Sequence, residues 1–501
     1  MTIMRFTITP KRELFKRDPM IYGHFLEHFH RQIYGGVFEP GSPLSDEDGF
    51  RKDVLEALRK IRTPIIRWPG GCFVSSYNWK KGVGPVRTPF FDKAWRVEDP
   101  NTFGTDEFIK LCRKLDCEPY ICTNAGTGTA EEMSDWLEYC NLENEGEFAR
   151  MRIANGYPEP YNVKYWSIGN ENYGHWEIGA KGTMEWARLV MESAKMMKHV
   201  DPTASLTAAA LVDLDWNINL LRGSGERLDW ISIHAYWDAI HQTNDLAPYG
   251  RCMSYTAETE ASIAQVRGLL TAMGLEKKIK IAFDEWNLRG WYHPNAHTVY
   301  QDHGKAEYLL PRDDNDINAS YTMADAVFTA CFLNTVLRNA DIVGMANFAP
   351  VVNTRGAIFT HKDGIVLRST YHVFDMFVNL MGDTVIDTWA EDVEPYVTPG
   401  LKGEVTVDCV DVVATRHNEN GKIVVACVNK HEFEDKEITL CLPVNGDVRV
   451  TSLTGNSPDD YNDIGRDSVH PFENADAVIE KSDNCLRLRP PAHSVNIVEI
   501  G

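Results

Sequence analysis

Short apolar runs alternate with amphipathic segments of helical period over most of the chain. This alternation is typical of parallel strands that are covered by helices. Eight apolar runs are interpreted as strands: Met20–His24, Thr63–Arg67, Glu118–Asn124, Val163–Ile168, Ser205–Ala210, Trp230–His234, Ile279–Phe283 and Ile342–Asn347. Eight strands with helices between them, over about 360 residues, predict an α/β fold of the (β/α)₈ TIM barrel type with insertions. A doubly wound open sheet shares the alternation and remains the alternative.

The pattern changes to a period of two residues after about Met381, with turns rich in Gly, Asn, Asp and Pro between the runs. Alternation of this kind predicts strands with one buried face, and therefore an all-β domain. Arg5–Thr9 alternates in the same way ahead of the first barrel strand, so we expect it to complete this domain. The predicted division is a catalytic barrel at 19–382 and a jelly-roll-like β-sandwich formed by 1–18 with 383–501.

Composition and charge narrow the class of partner. Of the 501 residues, 43% are hydrophobic and 25% are charged, which is ordinary for a globular protein that buries a large core. The 51 lysines and arginines against 72 aspartates and glutamates give a formal charge of −21, which repels phosphate backbones and anionic membrane surfaces. We therefore expect neither a nucleic acid nor a membrane as partner.

Cysteine usage and the N-terminal residues indicate a compartment. The 11 cysteines include no CxxC pair and no Cys/His cluster, which favours free thiols in a reducing cytoplasm. Residues 1–18 are rich in charge and hold no apolar run long enough for a signal-peptide core. No stretch approaches the roughly 18 uncharged apolar residues of a membrane span. A cytoplasmic protein is therefore expected.

Two glutamates follow predicted barrel strands, at the end where barrel enzymes place their active sites. Glu171 stands in the segment GNEN after the fourth run, and Glu285 stands in DEW after the seventh. Either acid alone is explained as well by a helix cap or a solvated side chain. A pair that faces across the barrel mouth is what glycoside hydrolysis needs, because one carboxyl protonates the leaving oxygen while the other attacks or activates water.

Other strand ends add polar groups to the predicted site, namely Arg67 on the second strand, Asn124 on the third, and His234 and Tyr236 on the sixth. An arginine beside a carboxylate lowers its pKa and keeps it ionised, which suits a nucleophile. An ion pair with a structural acid in the barrel core explains Arg67 equally well.

Two long loops, Pro69–Gly104 and Trp286–Asn318, are rich in aromatic residues. Long loops at a barrel mouth are usually functional, and aromatic rings stack on sugar faces. We expect roughly half of these rings to touch ligand, since aromatic side chains also tend to be buried. The aromatic residues are Tyr77, Trp79, Phe90, Phe91, Trp95, Trp291 and Tyr292.

A competing motif is His24-Phe-Leu-Glu-His28, which fits the H-x-x-E-H pattern of inverted zinc peptidases. In that pattern two histidines one helical turn apart bind zinc, and the glutamate acts as base. The context argues against zinc here, because Met20–His24 is interpreted as a strand and no third ligand is evident. We therefore expect no metal.

Four segments resemble the α-L-arabinofuranosidases of glycoside hydrolase family 51: IYGHFLEH at 21–28, IRWPGGC at 66–72, WSIGNE at 166–171 and FDEW at 283–286. They occur in order at successive strand ends, and the resemblance extends over essentially the whole chain, including WEIG at 176–179. It implies a barrel joined to a β-sandwich, retention of anomeric configuration, no metal or cofactor, a small oligosaccharide substrate and a homohexamer.

The resemblance also implies roles for single residues. Glu171 would be the general acid/base and Glu285 the nucleophile, and Asn170 would hydrogen-bond the sugar 2-hydroxyl. Because Glu171 must be protonated at the start, we expect its pKa to be raised, partly by the charge of Glu285. Glu27, Cys72, Tyr236 and Trp291 would bind the substrate. Arg67 and His234 would be supporting residues of the catalytic site.

The expected activity is exo-acting release of terminal α-L-arabinofuranosyl residues from arabino-oligosaccharides or arabinoxylan fragments through a covalent glycosyl-enzyme. A retaining glycosidase of the same fold but other specificity, a β-D-galactofuranosidase or an endo-β-glucanase or xylanase, is the alternative. A carbohydrate-binding protein that has lost catalysis is a further one, which the presence of both glutamates argues against. One departure bears on specificity: the family typically has a glutamine shortly after the eighth strand, where this chain has Pro350.

Overall fold

Eight parallel strands close into a barrel in the computed structural model, which describes residues 4–240, 245–291, 316–444 and 446–501. Each strand pairs in parallel with the next along the chain, and the eighth pairs with the first. In chain order they are β1 (Gly23–Phe25), β2 (Ile65–Trp68), β3 (Glu118–Thr123), β4 (Tyr165–Ile168), β5 (Ser205–Ala209), β6 (Trp230–Ile240), β7 (Lys280–Trp291) and β8 (Val343–Phe348). The predicted (β/α)₈ barrel is confirmed.

Three barrel strands differ from their predicted bounds by more than two residues at one end. β1 begins later than expected, because Asp18 caps a 3-10 turn at Pro19–Tyr22 ahead of it. β6 and β7 extend to Ile240 and Trp291, since they continue to pair with each other beyond the ends of the other strands. Glu285 therefore lies within the paired part of β7 and not in a loop after it.

Helices cover the outside of the barrel. The helix Met323–Arg338 is buried on nearly all sides, because it packs against β7 on one side and against strands of the second sheet on the other. In the described part of the chain the helices are Lys52–Lys60, Thr105–Leu115, Ala130–Asn141, Gly146–Ala154, Thr183–Val200, Leu214–Ser224, Tyr249–Ser254, Thr256–Ala272, Met323–Arg338 and Ser369–Leu380. None of these is both long enough and apolar enough to cross a membrane.

The second sheet contains ten strands and includes the N-terminal segment. Met4–Lys16 lies inside the sheet, antiparallel to Thr384–Glu391 and parallel to Ile438–Cys441. Residues from both ends of the strand order, such as Val450 and Leu486, share one apolar core, so the sheet rolls over on itself. The order is Phe472–Glu473, Val448–Leu453, Ser494–Ile500, Ile423–Asn429, Val410–Arg416, Thr384–Glu391, Met4–Lys16, Ile438–Cys441, Cys485–Leu488 and Val478–Ser482. The predicted C-terminal all-β domain is confirmed.

Among the described residues, three hairpins lie outside the two large sheets. They are Phe90–Asp92 with Val97–Asp99, Ile358–His361 with Gly364–Leu367, and Pro395–Gly400 with Gly403–Asp408.

The first hairpin belongs to the long loop Pro69–Gly104, and some of the aromatic residues of this loop pack the core. Tyr77 and Trp79 are buried, and the Trp79 ring lies parallel to that of Trp136 at 5.8 Å. These two rings therefore pack the core and are not platforms for a sugar.

Candidate active site

A cavity of about 590 Å³ opens at the carboxyl ends of the barrel strands. The sequence-predicted residues in its wall are Glu27, Cys72, Glu171, Tyr236 and Glu285. Arg67 and His234 hydrogen-bond to this wall, and Asn170 hydrogen-bonds to Arg67. The structure thus brings the predicted residues together, with one exception. The side chain of Trp291 lies outside the described residues, as does all of Tyr292.

Glu171 lies in a strained turn directly after β4. Its backbone φ is +43°, a region that non-glycine residues rarely adopt and that is enriched at functional sites. The turn is held by the Asn170 N–H, which donates to Asn172 Oδ1 at 3.1 Å. Glu171 Oε2 accepts a hydrogen bond of 2.8 Å from the Trp176 indole, and Oε1 lies 2.9 Å from His234 Nδ1. Both carboxylate oxygens are therefore fixed.

Glu285 lies on β7 beside His234 of β6. Arg67 Nη1 donates to its Oε2 at 2.8 Å, and the Tyr236 hydroxyl donates to its Oε1 at 2.7 Å. One oxygen of Glu285, one oxygen of Glu171 and one ring nitrogen of His234 all lie within 4.8 Å of one another. The two glutamates predicted from strand ends are therefore a close carboxyl pair.

Asp284 is fully buried and joins four barrel strands. Its Oδ1 accepts from Ser232 Oγ at 2.6 Å and lies 3.3 Å from His234 Nε2. Its Oδ2 accepts from the Tyr120 hydroxyl at 2.7 Å and lies 3.4 Å from Arg67 Nε. One carboxylate therefore contacts both cations that flank the catalytic pair.

A chain of hydrogen bonds orients the amide of Asn170. Arg67 Nη2 donates to Asn170 Oδ1 at 2.7 Å, while Asn170 Nδ2 donates to Glu177 Oε1 at 3.1 Å. Ser75 Oγ donates to the other oxygen of Glu177 at 2.7 Å, and the Cys72 thiol also hydrogen-bonds this carboxyl group. Cys72 is therefore tied, through Glu177, to the residue next to Glu171.

Glu27 is fixed in the cavity wall by donors and by a close glycine. Its Oε1 accepts from the Phe73 N–H and from the Trp95 indole, each at 3.0 Å. A Cβ added at Gly70 would lie 2.1 Å from the Cγ of Glu27, and the φ of Gly70 is +139°. The glycine after Pro69 is therefore required for the backbone to approach Glu27.

The charges in the site centre on His234. Burial lowers its pKa, but the charge of Glu285 and the hydrogen bonds with Asp284 and Glu171 raise it to about 10. Burial raises the pKa of Glu171, but the hydrogen bond and charge of His234 outweigh burial and hold it below its ordinary value. The expected rise in the pKa of Glu171 is therefore wrong, because the imidazole of His234, whose own pKa is raised, lies 2.9 Å from its carboxyl group.

At Glu285, Glu27 and Glu177, in contrast, burial is the largest effect and the pKa is raised. Burial and the charge of Glu171 raise the pKa of Glu285, whereas the charge of His234 lowers it. The net result is a pKa above its ordinary value. Burial and nearby carboxylates raise the pKa of Glu27 and of Glu177, each to about 8. At neutral pH these last two groups are mostly protonated and can donate hydrogen bonds.

The two histidines of the H-x-x-E-H motif lie in separate surroundings. His24 lies on β1, and its ring packs edge-on against Phe374 at 4.9 Å. His28 Nδ1 lies 2.9 Å from Asp99. The motif therefore lies across a strand end and not along a helix, which does not fit the zinc peptidase pattern. Within the described residues, the group of three that could hold a metal ion is Glu171, His234 and Glu285.

The residues of the site that were not among those predicted include Trp176, Glu177, Tyr120 and Asp284. Trp176 and Glu177 lie in the WEIG segment, whose likeness to the family was the available signal. Nothing in the sequence distinguishes Tyr120 from the other residues of the third apolar run, and Asp284 is noticed only as the residue before Glu285. Pro350 lines the cavity where the resemblance implies a glutamine, and the proline side chain itself offers no hydrogen bond.

Known proteins match the chain along its length. The models of the α-L-arabinofuranosidase 1 domain and the α-L-arabinofuranosidase C-terminal domain match residues 57–252 and 284–494. A family 51 α-L-arabinofuranosidase of Thermotoga petrophila has a solved structure with a TM-score of 0.84 and 34% identity, covering 99% of this chain and 100% of that one. Over 486 residues, 92% of each chain, the identity to α-L-arabinofuranosidase C of Emericella nidulans is 35%. The chain belongs to the α-L-arabinofuranosidases of glycoside hydrolase family 51.

A further relative is named for its linkage and its location. The intracellular exo-α-(1→5)-L-arabinofuranosidase of Acetivibrio thermocellus is 33% identical over 456 residues, 88% of each chain. As an α-L-arabinofuranosidase of this family, the chain is a glycoside hydrolase, which confirms the family and the reaction class expected from its motifs. The alternatives of other specificity are not favoured by these comparisons.

Proposed function

We propose that this chain is a retaining, exo-acting α-L-arabinofuranosidase in which Glu285 is the nucleophile and Glu171 the general acid/base. The spacing of the two carboxyl groups carries the proposal, since one oxygen of each lies within 4.8 Å of the other. Retaining glycosidases keep these groups about 5–5.5 Å apart, whereas inverting enzymes leave about 6.5–9.5 Å for a water molecule. Direct attack by a carboxylate fits the shorter spacing.

The reaction proceeds in two displacements. Glu285 attacks the anomeric carbon while Glu171 delivers a proton to the leaving oxygen, and a covalent glycosyl-enzyme forms. Glu171 then takes a proton from water, which attacks the same carbon and releases the sugar with its configuration retained. Arg67 and Tyr236 each hold one oxygen of Glu285, so the nucleophile is oriented before substrate enters.

The remaining predicted residues form the sugar pocket in this proposal. Glu27 and Cys72 line the cavity, and Asn170 next to Glu171 binds the 2-hydroxyl, where hydrogen bonds strengthen in the transition state. Trp291 stays a proposed substrate-binding residue. A substrate of short neutral arabino-oligosaccharides is supported by the Acetivibrio relative, which is named an exo-α-(1→5)-L-arabinofuranosidase.

The proposed setting is the cytoplasm, without a nucleic acid or membrane partner. All 11 cysteines are free thiols, and the Acetivibrio relative is named intracellular. The proposed assembly is a homohexamer. Light scattering on the gel-filtered protein tests it, and a mass of one or two chains would contradict it.

A panel of nitrophenyl glycosides tests the substrate specificity. We expect kcat/KM to be highest for the α-L-arabinofuranoside. A higher kcat/KM for a β-D-galactofuranoside or for any pyranoside would contradict this specificity.

Azide rescue of two alanine variants separates the roles of the glutamates. In Glu171→Ala, azide attacks the glycosyl-enzyme from the face opposite Glu285 and gives α-L-arabinofuranosyl azide. In Glu285→Ala, azide replaces the nucleophile and gives the β anomer. Each variant should lose about 10³-fold or more in kcat/KM without azide, with Glu171→Ala affected most on substrates with poor leaving groups.

The azide products are identified by NMR. Glu131→Ala, a change of an exposed glutamate on the helix Ala130–Asn141, is the control and should keep full activity. Exchange of the two azide anomers between the variants would reverse the assignment, and full activity of Glu285→Ala would remove it.

A further inference from the structure

The imidazole of His234 lies between three carboxyl groups. Its Nδ1 lies 2.9 Å from Glu171 Oε1 and 3.5 Å from Glu285 Oε2, and its Nε2 lies 3.3 Å from Asp284 Oδ1. Carboxylates only accept hydrogen bonds, so a hydrogen on each ring nitrogen places a donor against Glu171 on one side of the ring and against Asp284 on the other. The side chain is 3% exposed, and water therefore competes little for these hydrogens.

We propose that Asp284 is a positioning residue that keeps His234 doubly protonated, and that His234 holds the proton which Glu171 passes to the leaving oxygen. The inference rests on the roles proposed above for Glu171 and Glu285. It assigns a task to Asp284, which touches neither the cavity nor the reacting atoms.

The charge of Asp284 is permanent during the reaction, whereas that of Glu285 is not. Burial raises the pKa of Asp284, but Arg67 and His234 lower it to about 2, and Ser232 and Tyr120 both donate hydrogen bonds to it. It therefore stays ionised over the working pH range. Glu285 loses its charge when its oxygen bonds to the anomeric carbon.

The loss of that charge releases the proton at the moment it is needed. As the bond from Glu285 to the anomeric carbon forms and the glycosidic bond breaks, the charge of Glu285 declines, so the Nδ1 proton of His234 is held less strongly. It passes to Glu171 Oε1 while Glu171 protonates the leaving oxygen. His234 is then neutral and keeps its Nε2 hydrogen toward Asp284, Glu171 is ionised, and the aglycone leaves as an alcohol.

The second displacement reverses the proton movement. Glu171 takes a proton from water, whose oxygen bonds to the anomeric carbon as the ester bond to Glu285 breaks. Glu285 regains its charge, and the proton returns from Glu171 to His234 Nδ1. Each cycle therefore consumes one water and leaves every protein group in its starting state.

The pKa of His234, and with it the pH dependence of the rate, depends on the charged and titratable groups around the imidazole. Two hydroxyls and one guanidinium accompany the three carboxylates, and burial opposes the protonated form. The groups that face or flank His234 are Arg67, Tyr120, Glu171, Tyr236, Asp284 and Glu285. With Asp284 neutralised, the net negative charge at the ring falls and the pKa of His234 falls with it.

Asp284→Asn tests this with an alkyl arabinofuranoside, whose leaving group requires protonation. We expect the basic limb of the kcat/KM profile to move to lower pH by about one unit or more. Ser232→Ala removes a hydrogen bond from Asp284 but keeps its charge, so its basic limb should match wild type. A uniform loss of rate in Asp284→Asn, with the limb unmoved, would show a structural role only and overturn the inference.

A measurement on the wild-type enzyme covers the case that Asp284→Asn does not fold. The nitrogen NMR signals of His234, assigned by their loss in His234→Gln, should show two N–H groups at pH 7. They should show one N–H group, at Nε2, in a trapped glycosyl-enzyme. A neutral His234 in the free enzyme at pH 7 would overturn the inference. Correct azide anomers with either negative result would leave the proposed function standing.

Discussion

Burial, nearby charges and hydrogen bonds together decide which groups around the cavity carry charge. Burial and nearby carboxylates raise the pKa of Glu27 and of Glu177 to about 8, so at neutral pH each is mostly protonated and can donate one hydrogen bond besides those it accepts. Asp284 remains ionised beside two cations, and the pair of Glu171 and His234 shares one proton in our account. A cavity wall rich in carboxyl groups is therefore compatible with a neutral sugar.

Tyr236→Phe removes one of the two donors that hold Glu285. A hydrogen bond to a charged group contributes about 1.5–3 kcal/mol, so we expect kcat/KM to fall by about 10- to 100-fold. The hydroxyl also lowers the pKa of Glu285, and its loss raises that pKa. The acidic limb of the profile, where the nucleophile becomes protonated, should therefore move to higher pH.

Steady-state rates from pH 4 to 9 check this prediction. Tyr157→Phe, on a tyrosine outside the cavity, is the matched control and should leave the profile unchanged. An unaltered acidic limb in Tyr236→Phe would show that the hydroxyl does not act on Glu285.

The residues of the catalytic pair could be predicted from sequence, whereas their charge states could not. Glu171 and Glu285 stand at strand ends, a position that the apolar runs make visible. Tyr120 and Asp284 matter because side chains from three other strands contact the carboxylate of Asp284, and chain spacing carries no sign of that convergence. The expected rise in the pKa of Glu171 was wrong for the same reason, since His234 comes from another strand.

At the scale of elements, the loop after β2 illustrates how a short motif shapes the site. Gly70 brings the backbone against Glu27, and the following 3-10 turn, Cys72–Ser76, supplies an N–H donor at Phe73. The glycines of the PGG segment were visible in the sequence, but the contact with Glu27 was not. The strand count was likewise predictable, while the extra length of β6 and β7 depends on their mutual pairing.

Gly70→Ala should displace Glu27 and weaken substrate binding. The added Cβ meets the Glu27 side chain at 2.1 Å, and the φ of +139° is unfavourable for alanine. We expect a loss of about 1–3 kcal/mol of stability together with a higher KM. Urea unfolding and steady-state kinetics measure the two effects.

Gly182→Ala is the control for this change. A Cβ at Gly182 meets nothing within 4 Å, so stability should change by less than about 0.5 kcal/mol. Equal effects of the two substitutions would contradict the role given to Gly70.

At the scale of the whole molecule, the two ends of the chain meet in one sheet. The strand Met4–Lys16 is interior to that sheet, and its Phe6 belongs to the same core as Leu440 and Val498. Its alternating pattern predicted this membership, although not its neighbours, because strand order depends on pairing between distant segments. The domain boundaries at 18/19 and 382/383 stay a prediction.

Phe6→Ala tests whether the N-terminal strand is integral to the β-domain. Truncation of a buried phenylalanine costs about 3–5 kcal/mol, so the unfolding midpoint should fall clearly. Arg12→Ala on the same strand removes only a surface ion pair and should change stability by less than about 1 kcal/mol. An unfolding midpoint in Phe6→Ala equal to that of wild type would show that the strand is dispensable.

The central claim is that two carboxyl groups within 4.8 Å perform a double displacement. Proton NMR of the first arabinose released from a nitrophenyl α-L-arabinofuranoside tests it most directly, before the anomers equilibrate. The account predicts that the α anomer appears first and the β anomer only later, by mutarotation. Initial release of the β anomer would show single displacement by water and would contradict the account.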